Sequence, residues 1–104
     1  MSPVETKDEV VARLALCRDQ IERMGVRSLA LFGSFVRNQA NAHSDVDLLV
    51  QFAPGAKAFD RFMALVFLLE DRLGRSVELV TTESLSPHIG HHILDEAEDV
   101  LFAA

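Results

Sequence analysis

The chain has 104 residues, of which 49% are apolar, and its formal net charge is −6. A chain of this length can bury one core but not two, so residues 1–104 are predicted to form a single domain. Its Lys and Arg residues are scattered, whereas tight binding to a nucleic-acid backbone relies on clusters of them. Direct binding to nucleic acid is therefore not expected.

The cysteine count and the apolar runs exclude further classes of protein. The single cysteine, Cys17, excludes an internal disulfide and fits a reducing compartment. It shares an apolar helix face with Leu14 and Ile21, which predicts a buried side chain rather than a reactive thiol. No apolar run is long enough to span a bilayer and the N-terminus lacks a secretory signal pattern, so we expect a cytoplasmic protein without membrane contact.

Apolar periodicity and turn residues divide the chain into alternating helices and strands. In chain order, the pattern predicts a helix over 3–24, a strand over 28–33, a brief helix over 34–39, a strand over 46–52, a helix over 57–73, a strand over 76–81 and a final helix from 86–87 onward. Ser2 with Glu5, and Thr6 with Glu9, are competing capping boxes for the first helix. Gly74 is expected to end the long apolar helix.

This order of elements predicts an α/β (α+β) fold, with a small mixed β-sheet of about three strands backed by helices. The strands are short and the first two are joined by a loop, which favours a mixed sheet over a doubly wound parallel one. Two apolar segments leave alternatives open. The helix over 57–73, with Phe59 and Phe62 on its stripe, and the C-terminal segment over 93–102 are either buried or surfaces for a partner.

The most informative pattern is Gly33-Ser34, followed after ten residues by Asp45-Val46-Asp47. A Gly-Ser turn after a strand can hold phosphate oxygens on its backbone N–H groups. Carboxylates at positions i and i+2 of a strand point to the same face, so Asp45 and Asp47 are expected to lie together. The combination predicts a phosphate-binding turn facing a divalent-metal site, as nucleotidyl transfer requires.

Glu78 is the candidate third carboxylate. It lies on the strand over 76–81, and it joins the two aspartates if that strand neighbours the strand over 46–52. Three carboxylates beside apolar side chains repel one another, and a divalent cation removes that cost. Mg²⁺ prefers such oxygen ligands and completes its shell with substrate phosphates, so Mg²⁺ is the expected cofactor.

Other patterns are weaker candidates for a site. His88 and His92 lie one helical turn apart and could bind zinc, but Gly90 between them weakens the helix and a solvated pair is preferred. His43 could touch a substrate, although an ordinary loop residue is the preferred interpretation. General acid–base hydrolysis of a glycoside would leave the Gly-Ser turn unexplained, since carboxylates on one strand face do not flank a bond.

From Leu29 to Leu85 the chain resembles the minimal nucleotidyltransferase family of the DNA polymerase β-like superfamily. The resemblance rests on Gly33-Ser34, on the sequence Asp45-Val46-Asp47-Leu48 and on Val77-Glu78-Leu79-Val80-Thr81. It implies that Gly33 and Ser34 contact a triphosphate, that Asp45, Asp47 and Glu78 ligate two Mg²⁺ ions, and that Arg37 is a nucleotide-binding basic residue. Arg37 is equally interpreted as a surface charge. The third carboxylate is more often Asp in the superfamily, which leaves the role of Glu78 as ligand or base open.

Small members of this family resemble the antitoxins of HEPN–MNT toxin–antitoxin modules. That resemblance implies transfer of AMP from ATP to a tyrosine of a HEPN-domain ribonuclease toxin, encoded by the adjacent gene and held in a hetero-oligomer. The chain contains no tyrosine, so a tyrosine acceptor must belong to another molecule. The alternative hypothesis is a non-catalytic antitoxin that neutralises its partner by forming a complex.

Overall fold

The computed structural model describes residues 2–56, 58–86 and 89–102, the side chain of Ile89 excepted. Four helices and four strands lie in the described part of the chain: α1 (Lys7–Leu16), α2 (Arg18–Arg23), β1 (Val26–Phe32), β2 (Val46–Phe52), α3 (Phe59–Leu73), β3 (Val77–Thr81), α4 (Ile89–Glu96) and β4 (Glu98–Leu101). Short 3₁₀ turns follow β1 at Gly33–Phe35 and β3 at Thr82–Ser84. No helix in these ranges is long and apolar enough to cross a membrane.

The strands form one mixed sheet in the order β3-β2-β1-β4. Strand β1 is antiparallel to both β2 and β4, whereas β2 and β3 are parallel. The predicted mixed sheet backed by helices is confirmed, and so is the expectation that the strands carrying Asp47 and Glu78 are neighbours. The sheet has four strands rather than about three.

The fourth strand corrects the prediction of one helix over the C-terminal segment. The helix ends at Glu96 and the chain then pairs with the edge of β1, where Leu101 lies opposite Leu29. A strand of four residues is too short to show a period of two, so its apolar residues resembled the end of a helix. Of the predicted start at Ser86-Pro87, Pro87 lies outside the described residues.

The predicted helix over 3–24 is two helices, with a break at Cys17 (φ −114°, ψ 22°). Thr6 is the N-cap: its hydroxyl accepts a hydrogen bond from the backbone N–H of Glu9 at 3.2 Å, so the second of the two capping boxes starts the helix. Cys17 is buried as predicted, and burial raises the pKa of its thiol. No glycine or proline marks the break, so the apolar pattern continued through it.

Helix α3 buries one part of its predicted apolar stripe and exposes another. Leu65, Leu69 and Leu73 are fully buried, whereas Phe59 is 76% exposed and Phe67 is 62% exposed. The apolar residues of this helix extend around more than half of its circumference, so the sequence did not indicate which of them faces the sheet. Gly74 ends α3 in the left-handed conformation (φ 69°), as predicted.

Alternate residues of the strands divide the sheet into two faces with different surroundings. We call the side that packs against α1, α2 and α3 the core face. Its buried strand residues are Val26, Leu29, Leu31, Val46, Leu48, Val50, Phe52 and Leu79. The opposite side, the second face, carries a smaller apolar cluster of Ala30, Phe32 and Leu49, covered by Val80, Leu85, Ile93 and Ala97. Since Ile93 belongs to α4, that helix covers part of the second face.

Candidate functional site

The carboxylates of the sequence pattern lie at one end of the second face. Asp47 lies opposite Glu78 in the parallel pairing of β2 and β3, and two residues further on Leu49 lies opposite Val80. Leu49 and Val80 belong to the second-face cluster, so Asp47 and Glu78 occupy the same face by strand alternation. Asp45 immediately precedes β2 and is exposed. The structure thus places Asp47 directly opposite Glu78 on neighbouring strands, with Asp45 just ahead of β2.

Gly33 lies directly against Asp47. It follows the last residue of β1, Phe32, which pairs with Asp47 in the antiparallel register. Gly33 has a φ of +78°, and a Cβ built on it would lie 2.0 Å from Oδ2 of Asp47. No side chain fits in that space, so the close approach of this turn to the carboxylate requires glycine.

The surroundings of Asp47 disfavour its negative charge. Burial is the largest cause, and hydrogen bonding and repulsion by Glu78 come next, with a smaller contribution from Asp45; together they raise the pKa of Asp47 to about 6. The charge of Arg37 acts in the opposite direction. The pairing of Asp47 with Glu78 on neighbouring strands accounts for the effect of Glu78 on this pKa.

Ser34 lies in a tighter turn than predicted. The expected helix over 34–39 is a single 3₁₀ turn at Gly33–Phe35, after which the chain turns back. Asn38 ends this segment in the left-handed conformation (φ 58°), which asparagine adopts more readily than most residues. The half-buried Ser34 therefore presents its backbone from a turn beside Asp47, and the N-terminus of a longer helix is not available there.

Arg37 is exposed but ordered by two side-chain contacts. Its Nε donates to Oε1 of Gln39 at 3.1 Å, and its Nη1 donates to a carboxylate oxygen of Glu96 at the end of α4. This ion pair joins the turn after β1 to the helix that covers the second face. The contact with Glu96 was not foreseen, because Glu96 was one of four acidic residues in the C-terminal segment with no pattern to single it out.

The oxygen-only donor set fits a hard divalent cation better than zinc. Asp47 and Glu78 lie together, and the raised pKa of Asp47 reflects a cost of negative charge that a cation would relieve. In the described ranges, however, no three acidic, histidine or cysteine side chains converge closely enough to hold a metal ion as they stand. A finished site would need Asp45, whose side chain is exposed, to turn toward Asp47.

Among the described residues, the histidines join no group that could hold a metal ion. His43 is exposed, and its backbone N–H donates to Oδ1 of Asn41 at 2.8 Å, as in an ordinary polar turn. His92 is exposed on α4, with its ring 6.0 Å from the ring of His91. The predicted pair of His88 and His92 includes a residue outside the described ranges.

Comparison with known proteins shows the family. A model of the polymerase beta nucleotidyltransferase family matches residues 18–103. The protein adenylyltransferase MntA of Thermococcus cleftensis is 38% identical over 92 residues, which are 88% of this chain and 92% of that protein. A candidate protein adenylyltransferase of Methanocaldococcus jannaschii is 40% identical over 77 residues, covering 74% of this chain and 82% of the relative. The chain belongs to the polymerase beta nucleotidyltransferase family, and the resemblance noted from its motifs is confirmed.

Solved structures agree on the fold. A candidate minimal nucleotidyltransferase superposes with a TM-score of 0.71 at 34% identity, covering 88% of this chain and 89% of that one. A toxin–antitoxin complex with AMP-PNP contains a chain with a TM-score of 0.69 at 22% identity, covering 92% of this chain and 73% of that one. A complex of the tri-AMPylated Shewanella oneidensis HEPN toxin with its MNT antitoxin contains a chain with a TM-score of 0.57 at 19% identity, covering 86% and 72%. The protein therefore has the minimal nucleotidyltransferase fold.

Proposed function

We propose that the protein transfers AMP from ATP to a tyrosine hydroxyl of a HEPN-domain toxin and so acts as its antitoxin. The observation that carries the proposal is the contact of Gly33 with the Asp47 carboxylate, beside Glu78 and near Asp45. A glycine that lies against the Asp47 carboxylate, in the turn after β1, suits a triphosphate next to its metal ions. The similarity to MntA of T. cleftensis supports protein adenylyl transfer, and the toxin–antitoxin neighbours support a HEPN partner in a hetero-oligomer.

Asp45, Asp47 and Glu78 are the proposed ligands of two Mg²⁺ ions. When bound, Mg²⁺ would offset the charge of the triphosphate and make the acceptor hydroxyl more acidic. Burial, followed by the hydrogen bond and charge of Glu78 and the charge of Asp45, disfavours the negative charge of Asp47, and a bound cation would offset that cost. The exposed side chain of Asp45 can change rotamer without disturbing the core.

Gly33, Ser34 and Arg37 are the proposed ATP-binding residues. Backbone N–H groups in the turn after β1 would donate to phosphate oxygens, because Gly33 leaves space for a close approach. Arg37 would add a positive charge beside the phosphates, from a position already close enough to affect Asp47. ATP rather than another nucleotide is supported by the AMP-PNP bound in a structural neighbour.

The proposed reaction transfers the adenylyl group of ATP by displacement at the α-phosphorus. The tyrosine oxygen forms a bond to the α-phosphorus of ATP, the bond from that phosphorus to the bridging oxygen breaks, and pyrophosphate leaves. Glu78 is the proposed acceptor of the tyrosine proton, because it is exposed beside Asp47 at the open end of the second face. The acceptor belongs to the partner, since the chain has no tyrosine of its own.

The test is transfer of label from α-³²P-ATP with Mg²⁺ to the HEPN-domain protein of the adjacent gene. The native chain is expected to label the partner, and Asp47→Asn is expected to abolish labelling because it removes a ligand charge at the centre of the cluster. Asp19→Asn is the matched control, since Asp19 is an exposed aspartate on α2. It is expected to label the partner at the native rate.

The alternative, a binding-only antitoxin, predicts a different result from the same variants. If Asp47→Asn silences the partner as well as the native chain does, and no label is transferred by either, the catalytic proposal is wrong. The carboxylates would then contribute nothing to neutralisation, and complex formation alone would explain it.

A further inference from the structure

Arg75 contacts three segments of the chain, and two of them adjoin residues of the carboxylate site. It lies between Gly74, which ends α3, and Val77, which begins β3, three residues before Glu78. Its half-buried guanidinium donates from Nε to the backbone carbonyl of Val4, and from Nη1 to the carbonyls of Asn41 and Ser44 at 2.8 and 3.0 Å. No role in the site was assigned to this residue from the sequence.

The carbonyls that Arg75 binds belong to the loop that delivers Asp45. Within this loop the N–H of Ser44 donates to the carbonyl of Asn41 at 3.1 Å, and the N–H of Asn41 donates to Oγ of Ser44 at 2.9 Å. Arg75 therefore holds both ends of a closed turn, and Asp45 is the next residue. Without the guanidinium, the two carbonyls would lose donors from one rigid group.

The same guanidinium lies over the ring of Phe35, with its central carbon 5.3 Å from the ring centroid. Phe35 immediately follows Ser34 and is almost completely buried in the core. One side chain thus contacts the residue after the Gly33-Ser34 turn and the residue before Asp45, from a position just ahead of the strand that carries Glu78.

We propose that Arg75 is a positioning residue, which fixes the Asp45 loop relative to the Gly33-Ser34 turn by binding the carbonyls of Asn41 and Ser44 while stacking on Phe35. It acts through the backbone and does not touch the substrate. Its importance for nucleotide transfer rests on the proposed function, whereas its effect on the loop does not. Arginine is specifically suited to this position, because a planar fork can bind several carbonyls while one face stacks on an aromatic ring.

The first test measures amide hydrogen exchange in Arg75→Gln. We expect the amides of Asn41 and Ser44 to exchange at least about tenfold faster than in the native chain, because their turn loses its donors. Amides in the buried part of α3, such as that of Leu69, are expected to stay within about twofold of native. Equal loss of protection in the loop and the core would mean a general loss of stability and would overturn the proposal, as would unchanged exchange in the loop.

Arg72→Gln is the matched control, because it makes the same arginine-to-glutamine change three residues earlier, in the last turn of α3. The guanidinium of Arg72 contacts Asp71 and Gln20, and neither residue belongs to the site. Native exchange in the loop is therefore expected for this variant. Should Arg75→Gln fail to fold, Arg75→Lys keeps the charge but loses the fork; a rise of about threefold or more in loop exchange supports the proposal, and native exchange overturns it.

The second test measures AMP transfer to the HEPN partner with the same variants. Arg75→Gln is expected to lower kcat/KM for ATP at least about tenfold, Arg75→Lys to recover part of that loss, and Arg72→Gln to match the native chain. Native kcat/KM in Arg75→Gln would overturn the catalytic part of the proposal. If the native chain transfers no AMP at all, the proposed function fails, and hydrogen exchange alone still decides whether Arg75 holds the loop.

Discussion

Adjacent residues of one strand lie on opposite faces of the sheet, where their surroundings differ. On β2, Leu48 is fully buried on the core face under α3, whereas Asp47 is half-buried on the second face with its charge disfavoured. The core face is closed by three helices, while the second face is covered only in part by α4 and carries its carboxylates at the uncovered end. Stability and chemistry are thereby separated by a single residue step along a strand.

The largest expected effect comes from truncating neighbouring leucines on the two faces. Leu48→Ala is expected to lower the free energy of unfolding by about 3 kcal/mol or more, because its side chain is fully enclosed in the larger core. Leu49→Ala should cost at least about 1 kcal/mol less, because its cluster is smaller and it retains 5% exposure. Urea unfolding of both variants measures the difference, and equal losses would contradict the division between the faces.

Gly33→Ala tests the contact between the turn and the carboxylate. The added methyl group must displace Asp47, so AMP transfer is expected to fall roughly 100-fold. Gly55→Ala is a control with nearly the same backbone strain, since Gly55 has a φ of +79° and no atom within 4 Å of the added Cβ. Both variants should lose stability in thermal unfolding, Gly33→Ala more than Gly55→Ala, but only Gly33→Ala should lose activity. Equal loss of activity in the two variants would contradict a role for the contact between Gly33 and Asp47 in catalysis.

Asp47→Asn is expected to stabilise the metal-free protein. The folded pKa of about 6 lies above the value of about 3.9 for an unfolded chain, so the ionised carboxylate opposes folding at neutral pH. Because Asp47 is half-buried, solvent screens its charge in part, and the variant's free energy of unfolding should exceed the native value by about 1–2 kcal/mol at pH 8. This gain should shrink as the pH falls from 6 to 4, where the native carboxyl becomes protonated. Thermal unfolding in EDTA, with Asp19→Asn for comparison, would contradict the account if the gain were absent at pH 8.

The smallest expected effect concerns the contact between Arg37 and Glu96. Glu96→Gln removes the charge that holds Arg37 from the end of α4, while leaving a side chain of similar size. Since half of the Arg37 side chain is exposed, stability should change by less than about 1 kcal/mol. The KM for ATP should rise about two- to fivefold if Arg37 is held in place for the phosphates. An unchanged KM for ATP in steady-state assays would show that the Arg37–Glu96 ion pair does not contribute to nucleotide binding.

Much of the fold was predictable because the patterns of β1, β2 and β3 are clear in the sequence. Alternation on β2 placed Asp47 and Leu49 on one face and Leu48 on the other, and the structure agrees. The positive φ of Gly74 at the end of α3 followed from local chemistry in the same way. These features depend on a few neighbouring residues, so they could be predicted from a single sequence.

What the sequence did not reveal depends on distant partners. Strand β4 exists because Glu98, Asp99 and Leu101 pair with the free edge of β1, and that edge is invisible in a local pattern. The contacts of Arg75 with Asn41, Ser44 and Phe35 span 31 to 40 residues of chain, and those of Arg37 with Glu96 span 59. Long-range polar contacts have no periodicity, so the residues that support the site were missed although its acidic residues were found.

The most direct test of the account is the intact mass of the HEPN partner after incubation with the native chain, ATP and Mg²⁺. The account predicts one or more added AMP groups, located on tyrosine by peptide mapping. It also predicts none with Asp47→Asn and the native amount with Asp19→Asn. A partner that is fully silenced at unchanged mass would contradict it, because neutralisation would then proceed without any use of the second-face carboxylates.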